Sequence, residues 1–165
     1  MSNFNILFLK YVHYEQFKSF LDSLDEERKS WSLDLQHHFK NDKEYYEGVS
    51  KNNTPYSIVY LDGEEIIGFC GAYTRDVNHK MIEVSFVVKK NYQGRGIGTM
   101  LLKRVEVDAK KLSLNHIVAK HYKDNIASHK AFLKAGYKEL KTPPDNIHDW
   151  KIKEINGISF LDTYN

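Results

Sequence analysis

Three glycines fall within five residues of this chain, at Gly94, Gly96 and Gly98, inside the stretch Glu83-Val-Ser-Phe-Val-Val-Lys-Lys-Asn-Tyr-Gln-Gly-Arg-Gly-Ile-Gly-Thr-Met-Leu-Leu102. The stretch begins as an extended apolar run and continues past the glycines as an amphipathic helix. A strand feeding a glycine-rich turn that opens a helix is an anion site by construction. The first helical N–H groups have no internal partner, and the helix dipole adds partial positive charge there. Glycine takes φ > 0 freely and lets a phosphate approach the backbone with no Cβ in the way. Each unneeded glycine forfeits roughly 0.5–1 kcal/mol, so a plain strand-to-helix turn accounts poorly for the cluster. The stretch predicts a bound phosphate.

Composition sets the bounds around it. At 165 residues the chain fits one domain, residues 1–165. An apolar share of 41% with 13% aromatics is ample for a core and argues against wholesale disorder. Net charge is +2, with acids and bases interspersed, which disfavours a dedicated nucleic-acid binder. The single Cys70 excludes an internal disulfide framework and fits a reducing compartment. No apolar run approaches membrane-spanning length, and the N-terminus lacks a signal-peptide pattern. A soluble cytoplasmic protein is expected, with neither nucleic acid nor membrane as partner.

Along the chain, Asn5–Lys10 reads as a strand. Phe17, Phe20, Leu21 and Leu24 form a helical stripe. A second helix is expected from near Ser32, carrying Leu35, Phe39, Tyr46 and Val49 and ending at or soon after Gly48. Lys51–Pro55 reads as loop. Tyr56–Leu61 and Glu65–Tyr73 read as strands joined by a type I′ hairpin turn at Asp62-Gly63. Gly68 and Gly71 mark a bulge or a place where another backbone or a ligand comes close. Met81–Val88 is the strand before the glycines. The helix after them shows a stripe through Leu101, Leu102, Val105, Ala109 and Leu112. Asn115–Tyr122 is a strand, Asp124-Asn125 a helix N-cap, and Gly136 the C′ glycine of that helix. Tyr137–Leu140 and Trp150–Ile155 complete the strands. The order β-α-α-β-β-β-α-β-α-β-β implies an α+β fold.

Three segments in register carry a family resemblance. Gln93-Gly-Arg-Gly-Ile-Gly98 resembles the Q/R-x-x-G-x-G/A signature of the GNAT superfamily of N-acetyltransferases, and Glu83–Val88 resembles the strand that leads into it. Asn125-Ile-Ala-Ser-His-Lys-Ala-Phe-Leu-Lys-Ala-Gly-Tyr137 resembles the family's N-x-x-A-x-x-x-Y-x-x-x-G-F segment. The likeness is close over residues 81–140, looser over 56–73 and weakest in the N-terminal helices. It implies a mixed, mainly antiparallel central sheet of about six to seven strands, flanked by about four helices, with splayed central strands. It also implies acetyl-CoA held between the strand ending at Val88 and the one centred on Val118. Main-chain groups of Phe86, Val87 and Val88 would pair with the pantetheine arm. Gln93, Gly94, Arg95, Gly96, Ile97, Gly98 and Thr99 would surround the pyrophosphate, with Asn125 and Phe132 beside the cofactor.

The chemistry implied is attack of an amine on a thioester, which needs a base and a proton for the departing thiolate. Glu83 is the candidate base; its structural alternative is a strand glutamate facing solvent or a cross-strand lysine. The family's proton-donating tyrosine falls at Phe132, which has no proton to give. Tyr122, His121 or His129 would serve instead, or the thiolate leaves unaided, being about as acidic as a cysteine thiol at ~8.5. No metal is expected, because the eight histidines show no ligand spacing. Cys70 reads as core. Trp31 and the N-terminal tyrosines could line an acceptor pocket, although aromatic stripes at helical spacing read first as core, and Asp22–Glu27 could draw a cationic amine, although a solvated turn between helices is the better reading. The expected function is N-acetylation of a small-molecule or peptide amine by a monomer or homodimer. O-acetylation and a non-catalytic acyl-CoA sensor are the alternatives.

Overall fold

The computed structural model describes residues 4–26, 29, 39–51, 57–78 and 80–157. The expected helix start near Ser32 and the residues Glu27, Trp31, Leu35, His37, His38 and 52–55 lie outside that set. The described elements are β1 (Phe4–Phe8), α1 (Tyr14–Asp22), α2 (Asp42–Lys51), β2 (Ile58–Asp62), β3 (Glu65–Asp76) and β4 (Met81–Val88), followed by α3 (Ile97–Lys111), β5 (His116–Tyr122), α4 (Ile126–Lys134), β6 (Lys138–Glu139) and β7 (His148–Glu154). The strands form one seven-stranded sheet in the order β1-β2-β3-β4-β5-β7-β6. Every neighbouring pair is antiparallel except β4 with β5. This is the mixed, mainly antiparallel α+β architecture expected.

Alternation along the strands feeds two cores. On one face Ile82, Val84 and Val88 of β4 pack with Leu101, Leu102, Val105 and Ala109 of α3 and with Phe132 of α4. On the other face Val59, Leu61, Phe69 and Val87 pack with Phe17, Phe20 and Leu21 of α1 and with Tyr45 and Val49 of α2. Leu112, expected on the α3 stripe, is instead the C-cap residue and 42% exposed. α2 ends at Lys51, soon after Gly48 as expected; a Cβ at Gly48 would come within 2.5 Å of the Phe39 ring, so the glycine admits that ring. β1 stops at Phe8, where Leu9–Tyr11 turn into a 3-10 helix, and β6 keeps only two of its four expected residues.

The β2–β3 turn differs from expectation in type. Asp62 pairs with Glu65, so Gly63 and Glu64 are the central residues, and only Gly63 has positive φ, at 61°. Positive φ at the first central residue alone is the II′ pattern. Gly68 flanks a bulge, as one of its expected roles has it. The register steps from Tyr60↔Gly68 to Leu61↔Ile66, leaving Ile67 as the bulged residue. A Cβ on Gly68 would also sit 3.1 Å from Ile97 and 3.3 Å from Leu101, so the glycine lets α3 settle onto the sheet.

One irregularity positions the site. β4 and β5 pair only from Met81↔His116 to Val84↔Ala119. Beyond that point Ser85–Val88 and Lys120–Tyr122 part company. Each arm stays fixed by its outer neighbour, β3 for the first and β7 for the second.

Candidate active site

Beside the splayed end of β4 lies a cavity of about 470 Å³. Its walls are the end of β4 (Phe86, Val87, Val88), the glycine turn with the first turn of α3, and one face of α4 from Asn125 to Lys134. The turn is shaped by its glycines. Gly94 and Gly96 have φ of 76° and 78°, and a Cβ added at either would meet nothing within 4 Å. Gly96 is the N-cap of α3 and no side chain caps that end, so the amides of Ile97, Gly98 and Thr99 are offered to a ligand. Gly98 has a different purpose: a Cβ there would lie 2.6 Å from the Phe86 ring, so its absence lets β4 and α3 meet.

A second helix start faces the same space. Asn125 caps α4 by accepting a hydrogen bond from the Ser128 amide at 3.2 Å, and both residues line the cavity. Two helix N-termini thus converge on one volume, which suits a polyanion. Lys130 and Lys134, one turn apart on α4, add cationic side chains to the wall. They escaped the sequence analysis. The signal for them was the spacing Ala127, Lys130, Ala131, Lys134, a helix face of small and basic residues.

The remaining predicted residues fall as follows. Gln93 lines the cavity and its amide donates to the Val88 carbonyl at 3.3 Å, tying the turn to the strand. Arg95 donates to the Asn91 carbonyl at 3.1 Å, and its guanidinium lies 4.9 Å from the Tyr92 ring centre. Phe132 is buried behind the wall, edge-on to Phe86 at 5.3 Å and to Tyr137 at 5.2 Å.

Glu83 stands on the opposite sheet face, three residues before Phe86 on the same strand. Its side chain is 17% exposed and accepts from Arg75 Nη1 at 2.8 Å. The cross-strand cation is thus an arginine. Arg75 and Lys120 lie 5.4 and 5.5 Å from the Trp150 ring. Trp150 donates through Nε1 to Asp145 at 3.1 Å. Tyr122, on the β5 arm, packs against His148 with ring centres 4.7 Å apart. Tyr73 is half-buried with its hydroxyl 3.1 Å from that of Tyr45, and desolvation pushes its pKa up to about 12. Tyr45 is core, packed on Phe17 and Phe69. Cys70 is buried as expected, and burial raises its thiol pKa to about 12.

A model of the Acetyltransferase (GNAT) family matches residues 17–137. The chain belongs to the GNAT acetyltransferase family. Among solved structures, the GNAT domain of the Streptomyces lividans protein PAT superposes with a TM-score of 0.77 at 17% identity, covering 92% of this chain and 89% of that one. Ribosomal-protein-S5-alanine acetyltransferase from Vibrio fischeri gives 0.75 at 17%, covering 95% and 96%. The putative acetyltransferase yncA from Salmonella typhimurium, solved with its cofactor acetyl-CoA, gives 0.73 at 13%, covering 94% and 96%. Comparison with curated protein sequences finds no match.

As a GNAT acetyltransferase the chain draws its acyl group from acetyl-CoA. Its residues fit that ligand. The two helix starts, the open space over Gly94 and Gly96, and Lys130 with Lys134 suit the phosphates, and the apolar wall Phe86–Val88 suits the slender pantetheine arm. Among the described residues no helix is long and apolar enough to cross a membrane.

Proposed function

We propose that this GNAT acetyltransferase is an N-acetyltransferase that acts on a primary amine. The observation that carries the reading is the position of Glu83: on the strand that forms the cavity wall, but facing the other side of the splayed sheet, half-buried and held by Arg75. Bound acetyl-CoA supplies an acyl group activated as a thioester. The chain's own residues have three tasks. The glycine turn and α4 anchor the phosphates, the β4 edge aligns the arm in the wedge, and Glu83 receives a proton from the incoming ammonium directly or through water. The new C–N bond forms as the C–S bond breaks; the acylated nitrogen sheds its second proton to water, and the departing sulfur takes up a proton from water or from Tyr122 on the facing arm, which regains one from solvent. Phe132 plays no part in proton transfer. A carboxylate is a weak base. It suits an ammonium, which must only shed one proton to become a good nucleophile, better than a hydroxyl, which needs strong activation. This favours amide over ester formation.

The test is thiol release from acetyl-CoA across a panel of small amines, amino acids and peptides, with the product weighed by mass spectrometry. Amide product is expected. Glu83→Gln should lower kcat roughly 10²–10⁴-fold with acetyl-CoA affinity unchanged; an unaltered kcat would remove Glu83 from the mechanism. Firm acetyl-CoA binding with no turnover on any acceptor would make the protein a sensor.

A further inference from the structure

Across α4 from the acetyl-CoA cavity, three side chains from three elements converge: His121 at the end of β5, His129 on α4 and Asp149 on β7. Their ligand atoms all lie within 4.8 Å of one another. His121 is 2% exposed. Its Nδ1 lies 2.8 Å from the Tyr122 carbonyl, which can only accept, so Nδ1 carries the proton and Nε2 presents a lone pair. That Nε2 is buried with no hydrogen-bond partner among the described residues. A buried acceptor left unsatisfied costs about 1–3 kcal/mol. The ring is further fixed by stacking on Phe132, at 5.9 Å and 15° between planes, and by the His129 ring edge at 5.6 Å. A histidine whose one nitrogen is tied to a backbone carbonyl while the other keeps an unsatisfied lone pair, beside a second histidine and a carboxylate, has the outer-sphere support of a metal ligand.

We propose that His121, His129 and Asp149 bind a divalent transition-metal ion of the zinc type. Two neutral imidazoles and one carboxylate are a common nitrogen and oxygen donor set for zinc, with water as the fourth ligand. Bond lengths of about 2.0–2.2 Å place tetrahedral ligand atoms about 3.3–3.6 Å apart. The adjustment is of the order of 1 Å and falls on His129 and Asp149, which are only half-buried. The nearest cation to be reckoned with, Lys151, is engaged by Glu139 at 2.5 Å. The ion would tie the tip of β5 and the start of β7 to α4. Through Phe132, which touches both His121 and Phe86, it would brace the cavity wall from behind. The sequence concealed this site because its ligands lie eight and twenty residues apart on different elements, outside any local ligand spacing.

The experiment is titration of the chelator-stripped full chain with Zn²⁺ against a chromophoric chelator, and with Co²⁺ followed by its visible spectrum. One ion per chain is expected, with four- or five-coordinate Co²⁺ absorption. His129→Gln and Asp149→Asn should each weaken binding 10–100-fold, while His13→Gln and His148→Gln should not. Because His129 and Asp149 are half-exposed, those variants should fold, and circular dichroism checks that they do. No stoichiometric binding, or binding indifferent to His129→Gln and Asp149→Asn, would overturn the proposal.

Discussion

At the scale of single residues, the anion turn depends on one backbone angle and one absence. Gly96 needs φ of 78° and leaves its Cβ position open. In Gly96→Asp the strain at that angle is modest, because aspartate tolerates the left-handed region better than most residues. The larger effect is a carboxylate placed where the phosphates belong. Acetyl-CoA affinity should fall at least 100-fold by calorimetry while the far-ultraviolet spectrum stays native; unchanged affinity would remove the phosphates from this turn. Tyr73 supplies a pH prediction. Burial raises its pKa to about 12, above the ~10 of an unfolded tyrosine. The unfolded state therefore releases the proton first. The contribution is fully present below about pH 10 and is lost as pH rises toward 12. Tyr73→Phe should flatten that alkaline decline in denaturant titrations.

The elements show what the sequence could and could not reveal. The glycine turn, α3 and the N-cap at Asn125 were legible because each is fixed by local chemistry: positive φ, a periodic stripe, a side chain bonding back to Ser128. The hairpin was legible in place but not in type, since Asp62-Gly63 reads equally well one residue out of step. Lys130 and Lys134 face the cavity only because of how α4 lies across the wedge, a tertiary fact. Lys130→Gln combined with Lys134→Gln should weaken acetyl-CoA binding about tenfold at low salt and less at high salt, as screened surface charges do. The start of β7 has its own device. Asp145 accepts from the amides of Ile147 and His148, from His148 Nδ1 and from Trp150 Nε1. These donors hold its carboxyl well below the usual range. Asp145→Ala should cost about 1–3 kcal/mol in urea unfolding and loosen Trp150, visible as a fluorescence shift. No change in either would show the loop to be held by other contacts.

Over the whole molecule, two independently packed faces meet at one sheet, and the two sides divide the labour. The α3/α4 side carries the glycine turn and the two helix starts; the α1/α2 side carries Glu83, Arg75, Tyr73 and Trp150. The family likeness was legible because the first side is dictated by an unchanging ligand. The second side was not, because its side chains come together from positions far apart in sequence. Trp150, between two cations, came from the last strand, and Tyr45 fills the core, the reading that aromatic spacing favours over a pocket.

The parting of β4 and β5 beyond Val84 and Ala119 has one more consequence. A sheet normally hides its open edges at its rim; this one also keeps a pair of them in its middle. The inward-pointing amides of Ser85–Val88 and Lys120–Tyr122 have no strand opposite them, and an extended ligand lying there would act as the missing one. Hydrogen–deuterium exchange should find these amides fast in the free protein, between slow flanks in β3 and β7. Saturation with acetyl-CoA should slow those on the β4 arm selectively. The middle of the sheet would then be the part of the molecule whose order depends on the presence of its ligand.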